Sequence, residues 1–270
     1  MRAPMWLLCL GLMMLTGLTA LASDFEHQYG VELRGSRSMY MNMKDPNDYV
    51  KGFPWSQGLL SNEYTKSSGS FGGGISVLYK SRPYFAWHVG LNVLGTDSAT
   101  AKAESGNQTL KARALTSAVE LFFTANYYWN ITPRLNLEFG AGPAFYLASM
   151  DRENPNINYN NVSTPFYGAH GRAFGFVGTL GCEFFLSKAV ALKLGGGFRA
   201  AHVSRFKYIE EIVQTDGSTQ VGRIAYWNNS DGSLSFNTFE ADFSGPFIEG
   251  GFRFYFEPKG EWGHGDLRGQ

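Results

Sequence analysis

The stretch GPFIEGGFRFYF, residues Gly245–Phe256, alternates residue by residue between two kinds of side chain. Large apolar side chains fall on one face of it: Ile248, Phe252, Phe254 and Phe256. The other face carries both charges of the stretch, and its members are Phe247, Glu249, Gly251, Arg253 and Tyr255. An alternation with a period of two residues predicts a β-strand that has one dry face and one polar face.

Seven other stretches alternate in the same way, so the chain has eight predicted strands. Their bounds are Tyr29–Met41, Gly69–Tyr79, Tyr84–Leu94, Ala114–Trp129, Arg134–Ala148, Arg172–Leu186, Val190–Arg205 and Gly245–Phe256. Turns of three or four residues alternate with long polar loops at 42–68, 95–113, 149–171 and 206–238. Such alternation is typical of transmembrane barrels and is not expected of a soluble meander. We therefore predict an all-β fold, an eight-stranded antiparallel up-and-down transmembrane β-barrel.

The fourth long loop leaves an alternative strand count open. Residues 210–214 could pair with residues 220–227, and the barrel would have ten strands if that hairpin crossed the membrane. Its apolar alternation is weak, so we predict that it stays in the loop.

Lys51–Trp55 and Ile224–Trp227 place aromatic side chains in outer loops. There they could cover the barrel mouth or bind a glycan, lipopolysaccharide or a partner protein.

The size of the side chains predicts which face of each strand points into the barrel. An eight-stranded barrel has room inside for few side chains. One face of the strands carries rings and branched chains, as at Leu121 and Phe123, whereas the other carries glycines and polar groups. We therefore predict that the glycine-rich polar face lines the lumen and that the aromatic face contacts lipid. Aromatic residues near the short turns predict an interfacial girdle: Tyr79, Tyr84, Tyr127, Trp129 and Phe256.

The first 22 residues have the features of a secretory signal peptide. Arg2 supplies positive charge, Trp6–Leu18 is apolar, and a cleavage site of small residues ends at Ala22. The alternative is an uncleaved membrane anchor, although the apolar stretch is short for a span. We predict cleavage near Ala22, which leaves the barrel at 23–256 and a short periplasmic tail at 257–270.

Composition limits the remaining classes of function. Cys182 is the one cysteine after the signal peptide, so no internal disulfide can form and a closed ladder of backbone hydrogen bonds must stabilise the chain. Lysine and arginine together number 23, as do aspartate and glutamate, which gives no reason to expect nucleic-acid binding. No cluster of His, Cys or carboxylate residues has metal-site spacing, so neither a metal nor another cofactor is expected.

Nine charged residues fall on the predicted lumen face: Glu32, Arg34, Glu120, Glu138, Glu183, Lys193, Arg199, Glu249 and Arg253. Charges held together in a narrow lumen must pair, because isolated buried charges are too costly. We predict an ion-pair network that plugs the lumen. The alternative is a narrow path that opens when the pairs exchange partners, which would make the protein a small channel for ions or solutes.

The eight-strand plan, the alternating loops, the charged lumen and the final Phe252-x-Phe254-x-Phe256 resemble the outer-membrane β-barrel domain family. That family includes the barrels of outer membrane protein A and outer membrane protein X, and the resemblance covers residues 25–256. It implies residence in the bacterial outer membrane, among its lipid and lipopolysaccharide. It also implies that Phe252, Phe254 and Phe256 form a signal for the barrel-assembly machinery. Lipid-facing strands without a polar interface favour a monomer.

His202 and Ser204 carry one catalytic hypothesis. They share the lipid-facing side of a strand end and resemble the His-x-Ser pair of the lipid A deacylase family. A serine activated by a histidine that an acid orients is a workable acyl-ester hydrolase. The candidate acids are Glu210, Glu211 and Glu240. Residues 205–207, Arg-Phe-Lys, depart from the asparagine-containing pattern of that family. We therefore expect a non-enzymatic protein that acts in envelope integrity or in surface interactions through its long loops.

Overall fold

The computed structural model describes residues 28–48, 50, 61–105, 108–153, 169–208 and 239–256, with short loop segments at 212–213, 219–220, 224–227 and 234–237. The predicted signal peptide at 1–22, the tail at 257–270 and the aromatic loop Lys51–Trp55 lie outside the described residues. Nowhere in the described ranges is there a helix with the length and apolarity that a bilayer span demands.

Eight long strands of the described chain form one antiparallel sheet that closes on itself. They are β1 (Gln28–Met39), β2 (Gly69–Arg82), β3 (Phe85–Ser105), β4 (Gln108–Thr132), β5 (Leu135–Glu153), β6 (Ala169–Phe185), β7 (Val190–Ala200) and β8 (Gly245–Phe256). Each strand pairs with the next along the chain, and β8 closes the ring by pairing with β1. The predicted all-β, eight-stranded antiparallel barrel is confirmed.

The hairpin of β3 and β4 is longer than the sequence pattern predicts. The prediction of a loop at 95–113 is wrong, because residues 97–105 pair with residues 108–116 in a continuous ladder. A bulge just before this ladder shifts the inward-facing positions of β3 from even to odd numbers, so that Ala99 and Ala101 are buried. Small alanines alternating with polar residues give a weak signal when strands are recognised by large apolar side chains.

Other predicted bounds shift by a few residues. β2 ends at Arg82 rather than Tyr79, because an irregularity near the turn lets its pairing with β3 continue. β7 ends at Ala200 rather than Arg205, since the chain beyond it leaves the ring and pairs locally. β5 continues to Glu153, beyond its predicted end. The strands β3, β4, β5 and β6 therefore reach further on the loop side than predicted. The connection from β7 to β8 is longer than predicted, because β7 ends early.

Short segments build the outer ends of the loops. Residues 44–48 are helical, Ser61–Thr65 pairs with the outer part of β3, and Phe206–Tyr208 pairs with the start of β6. The other short strands pair with one another: His202–Val203 with Ala241–Asp242, Ile212–Val213 with Thr219–Gln220, and Ile224–Trp227 with Leu234–Asn237. None of these described segments inserts into the ring, so the ten-stranded alternative is not realised.

The ring has an apolar outside and a polar inside. Many outward-facing apolar side chains are exposed, including Ile75, Val77, Val89, Leu91, Phe123, Phe139, Leu180, Phe198 and Ile248. Exposed aromatic residues surround the short-turn end: Tyr29, Tyr84, Tyr127, Trp129 and Phe256. Lumen glycines make room for the inward-facing side chains, since a Cβ on Gly140 would overlap Thr179 and Asn126.

The barrel interior has three layers along its axis. At the short-turn end lies a small apolar cluster of Leu78, Phe185, Ala191 and Tyr255. At the outer end, a larger apolar cluster includes loop residues Tyr40, Met43, Val50, Phe206, Phe239 and Phe243. The charged side chains lie between the clusters, because Glu32 and Arg253 occur in the register between Tyr255 and Phe247. The charged middle of the lumen therefore lies between two apolar clusters.

Candidate functional site

The nine residues of the predicted ion-pair network all lie inside the barrel, with side chains that are almost completely buried. The strand register sets opposite charges next to each other. Glu32 of β1 is opposite Arg253 of β8, and Glu183 of β6 is opposite Lys193 of β7. The backbone pairing alone therefore brings acids and bases to the same levels of the lumen.

Arg253 is the centre of this network. Its Nε donates to Glu32 Oε2 at 2.5 Å, and its Nη1 donates to Glu183 Oε1 at 3.2 Å. Its Nη2 lies 2.7 Å from Glu138 Oε2. Three carboxylates from β1, β5 and β6 therefore share one guanidinium. Because Arg253 is fully buried, these contacts are what compensates for the hydration that its charge has lost.

Lys193 is a second cation with several partners. Its Nζ lies 2.8 Å from Glu249 Oε1, 3.6 Å from Glu32 Oε1 and 3.8 Å from Glu138 Oε2. Glu32 and Glu138 also contact Arg253. Because the two cations share two of their acids, the network cannot be divided into separate ion pairs.

A chain of polar side chains extends the network toward the outer end. Arg34 lies 3.0 Å from Glu32 Oε1, and its Nε donates to Asn92 Oδ1 at 2.9 Å. Asn92 Nδ2 donates to Glu120 Oε1 at 2.6 Å, and Arg199 Nε donates to Glu120 Oε2 at 2.8 Å. Asn92 therefore connects the pair of Glu120 and Arg199 to the central cluster.

The sequence pattern misses Lys80, because the predicted second strand ends one residue earlier. Lys80 is fully buried, and its Nζ lies 3.4 Å from Glu183 Oε2. The rings of Tyr128, Phe185 and Tyr255 surround the ammonium group, with ring centres 4.3–5.5 Å away. With Lys80 included, five bases face five glutamates in the described lumen. Its inward parity on β2 is the signal that could have found it.

Two tyrosines and a histidine contribute neutral partners. Tyr128 OH lies 2.9 Å from His88 Nε2 and accepts from Arg253 Nη1 at 3.1 Å. The hydroxyl of Tyr255 donates to Glu183. The sequence pattern places His88 inside the barrel but misses Tyr128, since its neighbours at 127 and 129 indicate only an outward-facing girdle. The network thus combines ion pairs with hydroxyl and imidazole hydrogen bonds.

A small cavity lies between these side chains. A cavity lined in part by Arg34, Asn92, Glu120, Lys193 and Glu249 has a volume of about 10 Å³. One water molecule needs roughly that much. This cavity therefore has space for about one water molecule.

The candidate catalytic pair lies at the outer rim. His202 and Ser204 are exposed, whereas their neighbours at 201 and 203 are buried, so both face outward. Glu240 Oε2 is 3.4 Å from His202 Nε2. Extending the local strand register by one step sets Ser204 opposite Glu240. No hydrogen bond joins Ser204 to His202 in the part of the chain that the structure describes. Two further candidate acids lie outside the described residues: Glu210 and Glu211.

The three residues of the predicted assembly signal lie at the seam of the barrel. Phe252 and Phe256 are exposed on the outward face of β8, and Phe254 is half-buried. Their partners on β1 are Leu33, Val31 and Tyr29. This segment therefore joins the first strand of the ring to the last.

No protein-family model and no curated sequence matches the chain. Among solved structures, the outer membrane protein OprG from Pseudomonas aeruginosa is similar over 88% of this chain and 100% of its own, with a TM-score of 0.50 and 12% identity. The chain has an outer-membrane β-barrel fold. At this identity the likeness concerns the fold, and it confirms the resemblance to outer-membrane barrels at that level.

Two further structures are similar to this barrel at lower scores. Neisserial surface protein A matches 84% of this chain and 97% of its own, with a TM-score of 0.38 and 11% identity. The outer membrane protease OmpT from Escherichia coli matches 89% of this chain and 100% of its own, with a TM-score of 0.29 and 9% identity. Neither carries an argument about what this barrel does.

Proposed function

We propose that the protein is a non-enzymatic integral outer-membrane barrel with a closed lumen. It acts through its outer surface, in envelope integrity or in interactions of its long extracellular loops. The observation that carries this proposal is the set of five glutamates and five bases buried inside the barrel, which lie around a cavity of about 10 Å³. A barrel without a path through its centre can act only through its lipid-facing wall and its loops.

The energetics of the network support a closed state. An ion crossing the lumen would have to separate Arg253 or Lys193 from the glutamates that each contacts. Leaving a buried charge without its partner costs about 3–5 kcal/mol. Because each 1.4 kcal/mol is about a factor of ten in population, an opened lumen would be present in about 1% of molecules or fewer.

The apolar clusters at the two ends of the lumen support the same proposal. The short-turn cluster includes Leu78 and Phe185, and the outer cluster includes Phe239 and Phe243. Hydrophobic constrictions hinder ions because ions passing them lose hydration without gaining polar contacts. Ion passage would therefore require both ends and the charged middle to rearrange together.

Planar-bilayer conductance of the refolded mature chain tests the closed lumen. We expect a folded, silent barrel, whereas Arg253→Met, which removes one cation from three carboxylates, should produce brief openings. Arg37→Gln is the matched control, since Arg37 is exposed on the outer wall, and it should remain silent. Steady, ion-selective conductance of the wild type would contradict the closed lumen and favour a small channel for ions or solutes.

The same proposal includes the route to the membrane. A signal peptide cleaved near Ala22 exports the chain, the barrel-assembly machinery reads Phe252, Phe254 and Phe256, and the barrel resides as a monomer among outer-membrane lipid and lipopolysaccharide. The outward orientation of the β8 phenylalanines supports this, because a partner or lipid can reach them before the ring closes.

A second candidate function rests on the outer rim. His202 and Glu240 are in contact at 3.4 Å, and Ser204 lies two positions from His202 on the same face, about 6.6 Å along an extended chain. Glu240 contacts Nε2 of the imidazole, which leaves Nδ1 to accept the serine proton. A serine activated in this way could hydrolyse an acyl ester of an outer-leaflet lipid.

Mass analysis of lipid A from cells that express the protein tests this candidate. If Ser204 is the nucleophile, the wild type removes an acyl chain and Ser204→Ala does not, while Ser81→Ala at the short-turn end remains active. Lipid A of unchanged mass with the wild type would contradict hydrolysis. Deacylation that persists in Ser204→Ala would contradict the serine mechanism.

A further inference from the structure

Two arginines lie side by side on the outward face of the barrel, near its outer end. Arg172 belongs to β6, and Arg205 directly precedes the short strand Phe206–Tyr208, which pairs with the start of β6. Phe206 is opposite Gly171, so one further step of this antiparallel register sets Arg205 beside Arg172. Both arginines are exposed, whereas Phe206 is buried. We refer to Arg172 and Arg205 as the arginine pair.

The arginine pair lies just above the apolar band of the barrel wall. A tilted transmembrane strand crosses the hydrocarbon in about 9–11 residues. On β6 the stretch from Phe174 to Phe184 has that length, and Phe174 is 85% exposed. Arg172 is the next outward position beyond Phe174. The two guanidinium groups are therefore expected at the level of the lipid headgroups, where an arginine costs little compared with the middle of the bilayer.

Neither arginine of the pair forms an ion pair with the part of the protein that the structure describes. Like charges opposite each other on neighbouring strands destabilise a sheet. An anion held between the two guanidinium groups would remove this repulsion. The geometry thus leaves a place for a negative group from outside the described chain.

Other charged groups nearby do not neutralise the pair. His170 and His202 are exposed on the same outer wall, and Glu240 is already in contact with His202. Asp151 is exposed near the outer end of β5, but the residue opposite Arg172 is Leu147. Asp151 is therefore four residues further out along the strand, and among the described residues the arginine pair keeps a net positive charge.

We propose that Arg172 and Arg205 bind the phosphate group of a lipid in the outer leaflet. Guanidinium groups match phosphate oxygens with paired hydrogen bonds. Below them the rings of Phe145 and Phe174, with centres 5.0 Å apart, form an apolar surface for the acyl chains of the same lipid. This assignment rests on the proposed membrane location and does not depend on hydrolysis at Ser204.

Lipid binding by the full mature chain tests the assignment. The refolded barrel in neutral-detergent micelles is titrated with lipid A, and separately with the same lipid after its phosphates have been removed, and bound lipid is counted by native mass spectrometry. We expect the wild type to bind the phosphorylated lipid at least tenfold more tightly, and the preference to weaken as salt screens the charges. The double variant Arg172→Gln/Arg205→Gln should lose the preference. Lys188→Gln, exposed at the short-turn end, should retain it.

Two results would overturn the site: a double variant that keeps the phosphate preference, or a wild type that shows none. The second comparison uses only the wild type, so the site can be refuted even if the double variant does not fold. Insertion into liposomes is measured in parallel. Insertion without phosphate preference contradicts the site alone, whereas phosphate preference without insertion contradicts the membrane location and leaves the site supported.

Discussion

Arg253 is a central residue of the ion-pair network in the lumen. Its side chain is fully buried and contacts Glu32, Glu138 and Glu183. Each of these glutamates also contacts a lysine of the lumen, as Glu183 does Lys80. Loss of Arg253 would therefore leave each of the three carboxylates with only part of its positive partners. The network as a whole would lack one positive charge.

We expect Arg253→Met to lower the free energy of unfolding by about 3–5 kcal/mol, since it leaves buried carboxylates without their shared partner. Urea unfolding of the barrel in detergent or lipid measures this. Arg37→Gln on the outer wall provides the control and should change the value by less than about 0.5 kcal/mol. A loss below about 1 kcal/mol in Arg253→Met would mean that the lysines can replace the guanidinium.

Asp45 links the helical stretch 44–48 to the chain that leads into β8. Its Oδ2 accepts a hydrogen bond from the backbone N–H of Glu240 at 2.9 Å. Partial burial, together with the charges of Glu240 and Asp48, raises the pKa of the Asp45 carboxyl, although the Glu240 N–H opposes the shift. A raised pKa means that the folded state holds this proton more tightly than the unfolded state.

The resulting contribution to stability is present below the ordinary aspartate pKa of about 3.9 and is lost as the pH rises through the folded pKa. Asp45→Asn keeps an oxygen acceptor and cannot ionise. We therefore expect the variant and the wild type to have the same free energy of unfolding near pH 4. Toward pH 7 the variant should become more stable than the wild type. A difference that stays constant with pH, measured by urea unfolding, would contradict this role of Asp45.

The space around a glycine in this barrel depends on whether the residue faces the lumen or the outer wall. A Cβ at Gly140 would overlap Thr179 and Asn126 inside the lumen, whereas at Gly35, on the outer wall, the nearest atom would be the carbonyl oxygen of Gly72 at 4.0 Å. The two glycines belong to the same kind of element and differ in their surroundings. The inward one makes room for polar side chains, and the outward one does not.

We expect Gly140→Ala to destabilise the barrel by about 1–3 kcal/mol through overpacking of the lumen. Gly35→Ala is the matched control and should change the free energy of unfolding by less than about 0.5 kcal/mol. Chemical unfolding of both variants under one set of conditions gives the comparison. Equal effects would show that the backbone freedom of glycine matters at these positions and the lumen space does not.

The alternation of large apolar residues was sufficient to predict the eight strands, but not all of their ends. It fails where the outward or inward face carries small residues, as at Ala99 and Ala101 in the long hairpin of β3 and β4. It also misses Lys80, which lies one residue beyond a predicted strand end. The contact of His202 with Glu240 requires the pairing of two short strands, and no local pattern specifies that pairing. Periodicity thus predicts which face of a strand a side chain occupies. The contacts of the ion-pair network and of the outer rim depend instead on the register between paired strands.

In the proposed membrane location, the whole molecule extends well beyond the bilayer on its loop side. β3 has 21 residues, about twice the 9–11 residues that a tilted strand needs to cross the hydrocarbon. The outer part of the hairpin contacts the short strand Ser61–Thr65, partly through Lys102 and Glu63 at 2.7 Å. Both side chains are largely exposed, so this ion pair contributes little to stability.

We expect the barrel to fold without the tip of this hairpin. Ala101 and Ala112 are opposite each other in the ladder, so replacing residues 102–111 with Asn-Gly closes the strands with a two-residue turn. The truncated barrel should keep its heat-shifted mobility on a gel and unfold near the wild-type midpoint. Failure to fold would show that the projecting hairpin is part of the folding unit.

The central contact of the lumen, between Glu32 and Arg253, joins residues 221 positions apart in the chain. Such a contact cannot form while the sheet is still an open curved ribbon, because β1 and β8 are then its two free edges. Until they meet, the acids and bases of the inner face must stay hydrated, which holds an unfinished barrel at the water interface. Long-range closure is slow for β topologies in general. The pairing of β1 with β8 and the dehydration of the lumen would then occur together, as one late kinetic step. Before that step, the hydrated lumen charges would oppose insertion of the unfinished barrel into lipid.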